Sequence, residues 1–597
     1  MKRTLTTEHC LYLLAFLIGL ILRFYRLGLP ALGESEAAWA LQALEIARGG
    51  TAQVGSQPGY VLLTSVLFWL MGSTNFLARF LPALTGSLLI FLPYLFRPIY
   101  EDSDWLRKAG LVMAFGLALD PGLVALSRQA GSPIPAVAFA LLTLGMLVNR
   151  QWVLAGIFGG LALLSGPALV AGLLGLLLTW ALLQLLLRLG WLVKGQITWL
   201  EVQEPAVALR TGLLALGVAV LAAGLMFLRV PQGLGALGQI LPDYLNGWLH
   251  PGEVPALRLP AALLIYQTLA LVFGLAAAVR GWIAARSGLR GAYLAQLLSL
   301  WALVTLLLAS IYPARQVADL VWTLIPLWAL AALEISRHLP AREDMPTRLV
   351  ALGLAGLVLL LMVISWVNLL TLVRLNGNPL LYGAVIAGAL LMAGIAALLV
   401  AMGWSYPAAR MGFAWGLLFG LSLGLFSATL GLSQFRPNSV RELWSTSPVA
   451  GQVSELEDTL SSLSDWKTGF SDQIDIVVTA DSSILRWVLR NDPNVTYASS
   501  PDAVASPAIV ITWKDQESPA LAEAYRGQDL VLQWYPGWLR ALPSPLLRWL
   551  TYRQALVAQV QIVLWARADI FPGGAIELLQ PAPDQQLPAA HEDQDVP

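Results

Sequence analysis

The chain of 597 residues is 57% apolar and only 12% charged, with a mean hydropathy of +0.69, whereas soluble globular proteins carry roughly 25% charged residues. That composition describes a polytopic membrane protein. Thirty-six basic and thirty-six acidic side chains balance to a net charge of zero, so no global field points to nucleic acid or an acidic partner. A lone cysteine, Cys10, excludes an intrachain disulfide, a CxxC metal site and a dithiol redox pair.

In chain order, Met1–Glu8 is a short basic start and Cys10–Leu22 begins the first apolar span, which runs into Arg23-Phe24. No small-residue cleavage pattern follows, so the segment reads as an anchor rather than a cleaved signal. Further apolar runs fall near 76–98, 107–127, 134–149, 152–166, 168–188, 208–228, 260–284, 292–311, 317–335, 348–373, 380–403 and 411–433. Each approaches the length needed to cross roughly 30 Å of hydrocarbon, giving about thirteen spans. Gly59–Met71 is short and reads as a re-entrant or juxtamembrane helix. Asp120, in Leu119-Asp120-Pro121, reads as the N-cap of a new helix, because an uncompensated charge deep in lipid is costly.

Loop charges set the expected orientation. Arg97, Arg107, Lys108, Arg150, Arg188, Lys194, Arg286, Arg290, Arg337, Arg342, Arg348 and Arg410 fall in one set of alternate loops. Arg128, Arg229, Arg258, Arg315 and Arg374 make the thinner set. By the positive-inside rule the N-terminus is cytoplasmic. The loop holding Glu34 and Glu36, residues 127–133, 229–259 and 312–316, and everything after about 434 then lie outside the cytoplasm of a multi-pass plasma-membrane protein.

Three regions follow: a polytopic membrane domain over 1–433, a soluble extracytoplasmic α/β domain over 434–579, and a disordered tail over 580–597. Ile474–Thr479, Ala508–Thr512, Asp529–Gln533 and Gln561–Trp565 read as strands, and Asp481-Ser482 as a helix N-cap. The tail is rich in Pro, Gln and Asp and has no apolar face.

Chemistry is expected in Arg26–Pro58, where Glu34 and Glu36 sit together beside the membrane. Ala37, Leu41, Leu44 and Ile46/Ala47 recur at helical spacing, so Ala37–Arg48 should lie along the bilayer surface and hold the carboxylates at the water boundary. The bland alternative is a solvated loop start, with Ser35 as N-cap and negative charge in the first helical turn. His250, in Trp-Leu-His-Pro, and Asp319, four residues after Arg315, each have an equally plain reading as a solvated loop side chain and a local ion pair. The 23 tryptophans serve in part as interfacial anchors.

Several of these pieces form a series. Leu22-Arg23-Phe24-Tyr25-Arg26-Leu27-Gly28, Ser35-Glu36-Ala37-Ala38-Trp39, Pro58 with Gly72, Phe76–Pro82 and Ser127-Arg128-Gln129-Ala130 resemble the start of GT-C membrane glycosyltransferases. The likeness is to the protein O-mannosyltransferase and aminoarabinose-transferase type (family 39), including a prokaryotic flippase-associated branch. Trp248, His250, Pro255 and Tyr266 resemble that branch's external loop, and Tyr312-Pro313-Ala314-Arg315 with Ile325-Pro326-Leu327 a later segment.

The resemblance implies a mainly α, polytopic GT-C-like core with an outward active site. The implied donor is a polyprenyl-phosphate sugar and the acceptor an extracytoplasmic glycan, lipid or protein. It implies Glu34 and Glu36 as catalytic carboxylates, and Arg79, Arg128, His250 and Arg315 as substrate-binding groups. Glu36 would also be the ligand of any divalent metal; no nucleotide or redox cofactor and no nucleic acid are expected. An acid is needed to deprotonate the acceptor hydroxyl and cations to stabilise the departing phosphate.

The chain departs from that pattern in one direction. Ser35 stands where the family has Asp, Ser132 where a second Asp is expected, and Gln267 where the flippase-associated branch has Glu. Two readings follow: Glu34 takes over the missing Asp's role one residue upstream, or the cavity binds a lipid-linked sugar, or assists a flippase, without transfer. A transporter has a similar span count, but no repeat relates the two halves, as transporters commonly show.

Overall fold

The computed structural model describes residues 7–51, 53–99, 103–192, 205–284, 290–339, 344–437, 439–445, 447–500, 506–516 and 523–571. Lys194, Arg286, Arg342 and the expected tail 580–597 lie outside them. Among these residues nine helices are long and apolar enough to cross a membrane, or up to eleven if two bent pairs each count as one span. The chain divides into two compact units, 1–450 with 534–558, and 451–533 with 559–597. Residues 534–558 thus cluster with the membrane helices although they lie within the stretch expected to be the C-terminal domain.

The first unit begins with α1 (Thr7–Phe24), α2 (Glu34–Ala47), α3 (Pro58–Met71), α4 (Asn75–Leu88) and the single turn α5 (Leu92–Leu95). On α1, Tyr12, Ala15, Gly19, Leu22 and Arg23 form the buried face, while Leu13, Leu14, Leu17 and Ile21 point outward. An apolar outer face is what lipid, rather than water, requires. The helix α2 starts at Glu34, three residues earlier than expected, and its buried face is Glu36, Ala37, Ala40, Ala43 and Leu44 rather than the Leu41/Ile46 edge. Alanine at three of those positions allows close approach to neighbouring helices.

Next come α6 (Asp104–Leu119) and α7 (Pro121–Ser127), bent by 53° at Asp120. Asp120 caps α7 as its sequence context suggests: Oδ1 accepts from Leu123 N at 2.7 Å, and Oδ2 accepts from Trp328 Nε1 at 2.8 Å. The side chain is fully buried within the protein, and the two hydrogen bonds together with the nearby Arg23 act against its desolvation.

The rest of the unit is α8 (Ile134–Val148), α9 (Trp152–Leu163), α10 (Pro167–Arg188), α11 (Pro205–Leu225), α12 (Gln232–Leu249), α13 (Arg258–Tyr266), α14 (Thr268–Ile283), α15 (Arg290–Ile311), α16 (Val321–Arg337), α17 (Met345–Leu375), α18 (Pro379–Gly403) and α19 (Tyr406–Leu430). A 97° bend at Gln267 separates α13 from α14. The span that includes α16 is 83% buried, against 11% for α18, so α16 is the central post and α18 a peripheral helix. Glycines set the closest approaches: a Cβ on Gly116 would meet Trp328 at 2.1 Å, and one on Gly172 would meet Trp322 at 2.0 Å.

The second unit has α20 (Val453–Thr468) and α21 (Ser483–Val488) with β1 (Ile476–Val478), β2 (Val495–Tyr497), β3 (Ile509–Trp513), β4 (Tyr525–Pro536, as far as Gln533) and β5 (Val557–Arg567, from Gln559). These strands follow the order β4-β5-β3-β1-β2. β1 runs parallel to β2 and β3, while β3 and β5 are antiparallel. The all-buried pattern of β1 and most of β3 is that of strands covered on both faces.

Because nothing can yield around the indoles without displacing a helix, Gly116→Ala and Gly172→Ala are each expected to cost about 1–3 kcal/mol. Gly353→Ala and Gly388→Ala, where the new methyl meets nothing within 4 Å, should be neutral. Thermal unfolding of the four variants in lipid nanodiscs, followed by intrinsic fluorescence, reads the difference.

Candidate functional site

The first loop closes on one ion pair. Glu36 stands in the first turn of α2 and Arg79 in α4, and both are buried. Glu36 Oε1 accepts from Arg79 Nε at 2.9 Å and from Ala130 N at 2.9 Å. Its Oε2 accepts from Arg79 Nη2 at 2.6 Å and from Gly33 N at 3.1 Å. Arg79 donates further to the carbonyls of Leu27 (3.2 Å), Pro30 (2.7 Å) and Ala31 (3.1 Å). Every N–H of the guanidinium and both lone-pair sites of each carboxylate oxygen are thereby used.

That saturation bears on the metal expected at Glu36. A cation there would have to displace a hydrogen-bond donor, and no group of three or more His, Cys, Asp or Glu gathers among the described residues. The residues present do not form a divalent-cation cradle at Glu36.

Arg128 is also turned inward. It follows α7 and donates from Nη1 to the carbonyls of Leu22 (3.1 Å), Arg23 (3.0 Å) and Tyr25 (2.9 Å), and from Nη2 to Arg26 (3.3 Å). It therefore caps the C-terminal end of α1, where a cation is favoured. Burial, then the nearby Arg79, lowers its guanidinium to about 10, so it stays charged at neutral pH. Arg23, in the last turn of α1, is held by Ser127 Oγ and by the carbonyls of Gly19, Leu117 and Ala118.

The turns that carry His250 and Arg315 are tied together by backbone groups of neighbouring residues. Gly252 N donates to Pro313 O at 3.0 Å and Ala314 N to Gly247 O at 3.1 Å, which ties the turn after α12 to the turn after α15. His250 is exposed, with Nδ1 3.2 Å from Asn246 O. Half-buried Arg315 donates from Nε to Ser310 O and from Nη1 to Val254 O, each at 3.0 Å. Under the same turns Tyr244 and Tyr312 stack at 5.1 Å and, with Thr305, Asp319 and Trp322, line a cavity of about 90 Å³. Burial, Asp319 and Tyr244 push the Tyr312 phenol up to about 12, so its hydroxyl remains a donor, here to Tyr244 O at 3.1 Å. Asp319 does not pair with Arg315; its Oδ2 accepts from Gln316 N at 2.8 Å as a helix cap.

Glu34 is partly exposed in the first turn of α2, and Ser35 beside it is exposed. Tyr535 lies close enough for the Glu34 charge to help raise its phenol, after burial. Ser132 is a buried cap, accepting from Ile134 N at 3.1 Å, and Gln267 is buried at the α13–α14 bend.

A further polar node escaped the sequence reading. Glu442 is 2% exposed and accepts from Arg436 Nε at 2.8 Å and from Tyr266 OH, with Arg553 Nε at 3.7 Å. Arg258 lies alongside, donating to Leu443 O and Ser445 O and lying 4.4 Å over the Trp538 ring. Its members are up to about 300 positions apart in the chain, and no local pattern links them.

No family model matches the chain, and no curated protein matches it. Among solved structures, ArnT from Cupriavidus metallidurans bound to undecaprenyl phosphate aligns with a TM-score of 0.52 over 92% of this chain and 97% of ArnT, at 14% sequence identity. Apo ArnT from the same organism aligns at 0.51 over 94% and 98%, at 16% identity. The chain has the GT-C-like fold. In this GT-C-like frame, Glu36, Arg79 and Arg128 hold the first loop against α1 and α4, while Glu34 and Arg315 are partly exposed and His250 is exposed.

Breaking a buried, fully hydrogen-bonded pair leaves an uncompensated charge and typically costs about 3–5 kcal/mol. Arg79→Ala and Glu36→Gln should therefore both lower the unfolding midpoint in nanodiscs, and their double variant should cost less than the sum. Ser35→Ala is the matched control with no expected loss. Unchanged stability in Glu36→Gln would show that its hydrogen bonds do not hold the loop.

Proposed function

We propose that the protein transfers a sugar from a polyprenyl-phosphate donor to an acceptor on the extracytoplasmic side of the membrane. The observation that carries this reading is the likeness, along nearly the whole chain, to ArnT in complex with undecaprenyl phosphate. Arg315 stabilises the phosphate, since its Nη2 is not drawn into the carbonyl contacts that hold Nε and Nη1. His250, in the linked turn, supplies a second polar contact. Glu34 is the base: the acceptor hydroxyl oxygen bonds to the sugar's anomeric carbon, the bond from that carbon to the phosphate oxygen breaks, and the hydroxyl proton passes to Glu34. Arg79, Arg128 and Glu36 position the loop, and no step uses a metal.

A second reading, a binder of lipid-linked sugar that does not transfer it, draws on Ser35. This side chain is exposed at the position where the resemblance calls for Asp. One pair of variants separates the two. In proteoliposomes with a radiolabelled polyprenyl-phosphate hexose, Arg315→Ala should abolish donor binding in either case. Glu34→Gln should cut transfer by about 10²–10⁴-fold while leaving donor binding intact if the base is real. Donor binding without transfer by the wild-type chain would select the binder; normal binding by Arg315→Ala would remove the phosphate site.

The N-terminus is placed in the cytoplasm by the same proposal. In a Cys10→Ser background, Gln53→Cys, exposed beside buried Val54, should react with a membrane-impermeant maleimide in intact cells. Asp344→Cys, also exposed, should react only after lysis. The reverse pattern inverts the topology.

A further inference from the structure

The second unit carries a groove of about 490 Å³ between α20 and the sheet. Helical spacing sets Asp458, Ser462, Leu463 and Trp466 along one face of α20, and strand alternation sets Arg526 and Gln528 of β4 beside Leu564 and Ala566 of the adjacent β5. Trp466 is 56% exposed, although it is the largest apolar side chain of its helix. It meets Phe571 edge-on at 6.1 Å, and the Arg526 guanidinium lies 4.7 Å over the Phe571 ring.

An indole held upright by a second ring offers a rigid apolar platform at little entropic cost. Around it stand a carboxylate, a guanidinium, an amide and a hydroxyl, all exposed, which together donate and accept on both sides of the platform. One carboxylate balances one guanidinium, so the groove has no net charge with which to select a phosphate or an acidic peptide. Its size lies within the usual range for small-ligand sites, roughly 300–1,000 Å³. A flat ring with one C–H face and a rim of hydroxyls satisfies all four features.

We infer that this groove binds a short neutral saccharide, with Trp466 stacking on a sugar ring and Asp458, Arg526 and Gln528 taking its hydroxyls. The inference goes beyond the transferase reading and does not depend on it, since it concerns binding by the second unit and not transfer.

The test uses the full chain in lipid nanodiscs, because sugar-headed detergents would compete. Saturation-transfer NMR is recorded with maltose, cellobiose, lactose, mannobiose and chitobiose at millimolar concentration, and with glucose 1-phosphate as the anionic comparison. At least one neutral disaccharide should bind and quench Trp fluorescence. Trp466→Ala should weaken it by roughly tenfold or more, Trp466→Phe by less, and Asp458→Asn measurably. Donor binding by the membrane unit should be unchanged in all three, which separates failure here from failure of the transferase reading. No binding of any of the disaccharides, equal binding by Trp466→Ala, or binding of glucose 1-phosphate alone would each overturn the inference. Saccharide binding that appears only when the chain is truncated after Phe571 would assign the groove to the chain's own C-terminal segment and overturn it as well.

Discussion

The Glu36–Arg79 pair is the constraint around which the first half of the membrane unit is arranged. A bidentate ion pair out of water is favourable only when its remaining donors and acceptors are satisfied, and here they are, by Gly33, Ala130 and the carbonyls of Leu27, Pro30 and Ala31. With Glu36 on α2 and Arg79 on α4, these partners add the 27–31 loop, the cap of α2 and the turn before α8. Satisfying one ion pair therefore ties together α2, α4, that loop and that turn. The same interaction uses up the chemistry that a buried Glu would otherwise offer.

Arginine recurs as a structural clamp in this unit. Arg23, Arg128 and Arg258 each end on backbone carbonyls at helix ends or loops, where five donors on one planar group can serve carbonyls that no water reaches. A cation spent this way is hard to recruit for a phosphate. The three groups to which the proposed transfer assigns roles, Glu34, His250 and Arg315, lie instead on turns or first helical turns, where backbone direction and not helix packing aims the side chain. Rigid helices below and short turns above form a common arrangement for a binding site.

The breaks in the bundle have local causes. Pro121 behind an Asp cap turns α6 into α7, and Gln267 marks the fold-back between α13 and α14. Each break places polar groups inside apolar surroundings, and each is stabilised by partners from far along the chain: Trp328 reaches Asp120, and the hydroxyl of Tyr266 reaches Glu442. Close helix approach at Gly116 and Gly172 brings the indoles of α16 inward, which suits a membrane protein, where packing replaces the hydrophobic effect as the force between helices.

The sequence by itself determined what depends on neighbours in the chain. Hydropathy over windows of about twenty residues locates spans because lipid acts on each segment separately. Asp120-Pro121 and Asp481-Ser482 signal helix starts because a cap bonds to an amide two or three residues on. Glu34 and Glu36 were legible as a polar pair beside a helix for the same reason. Only the tertiary structure decided what each acid does. The two are two residues apart, yet α2 turns Glu36 into the protein, where it meets Arg79, and leaves Glu34 at its edge, because alternate positions on a helix point about 200° apart. The alanine face of α2, the inward turn of Arg79 and Arg128, the Glu442 node and the groove beside Trp466 share that origin. Each depends on donors, acceptors or surfaces brought together from distant parts of the chain, and no periodicity in the sequence encodes such a meeting.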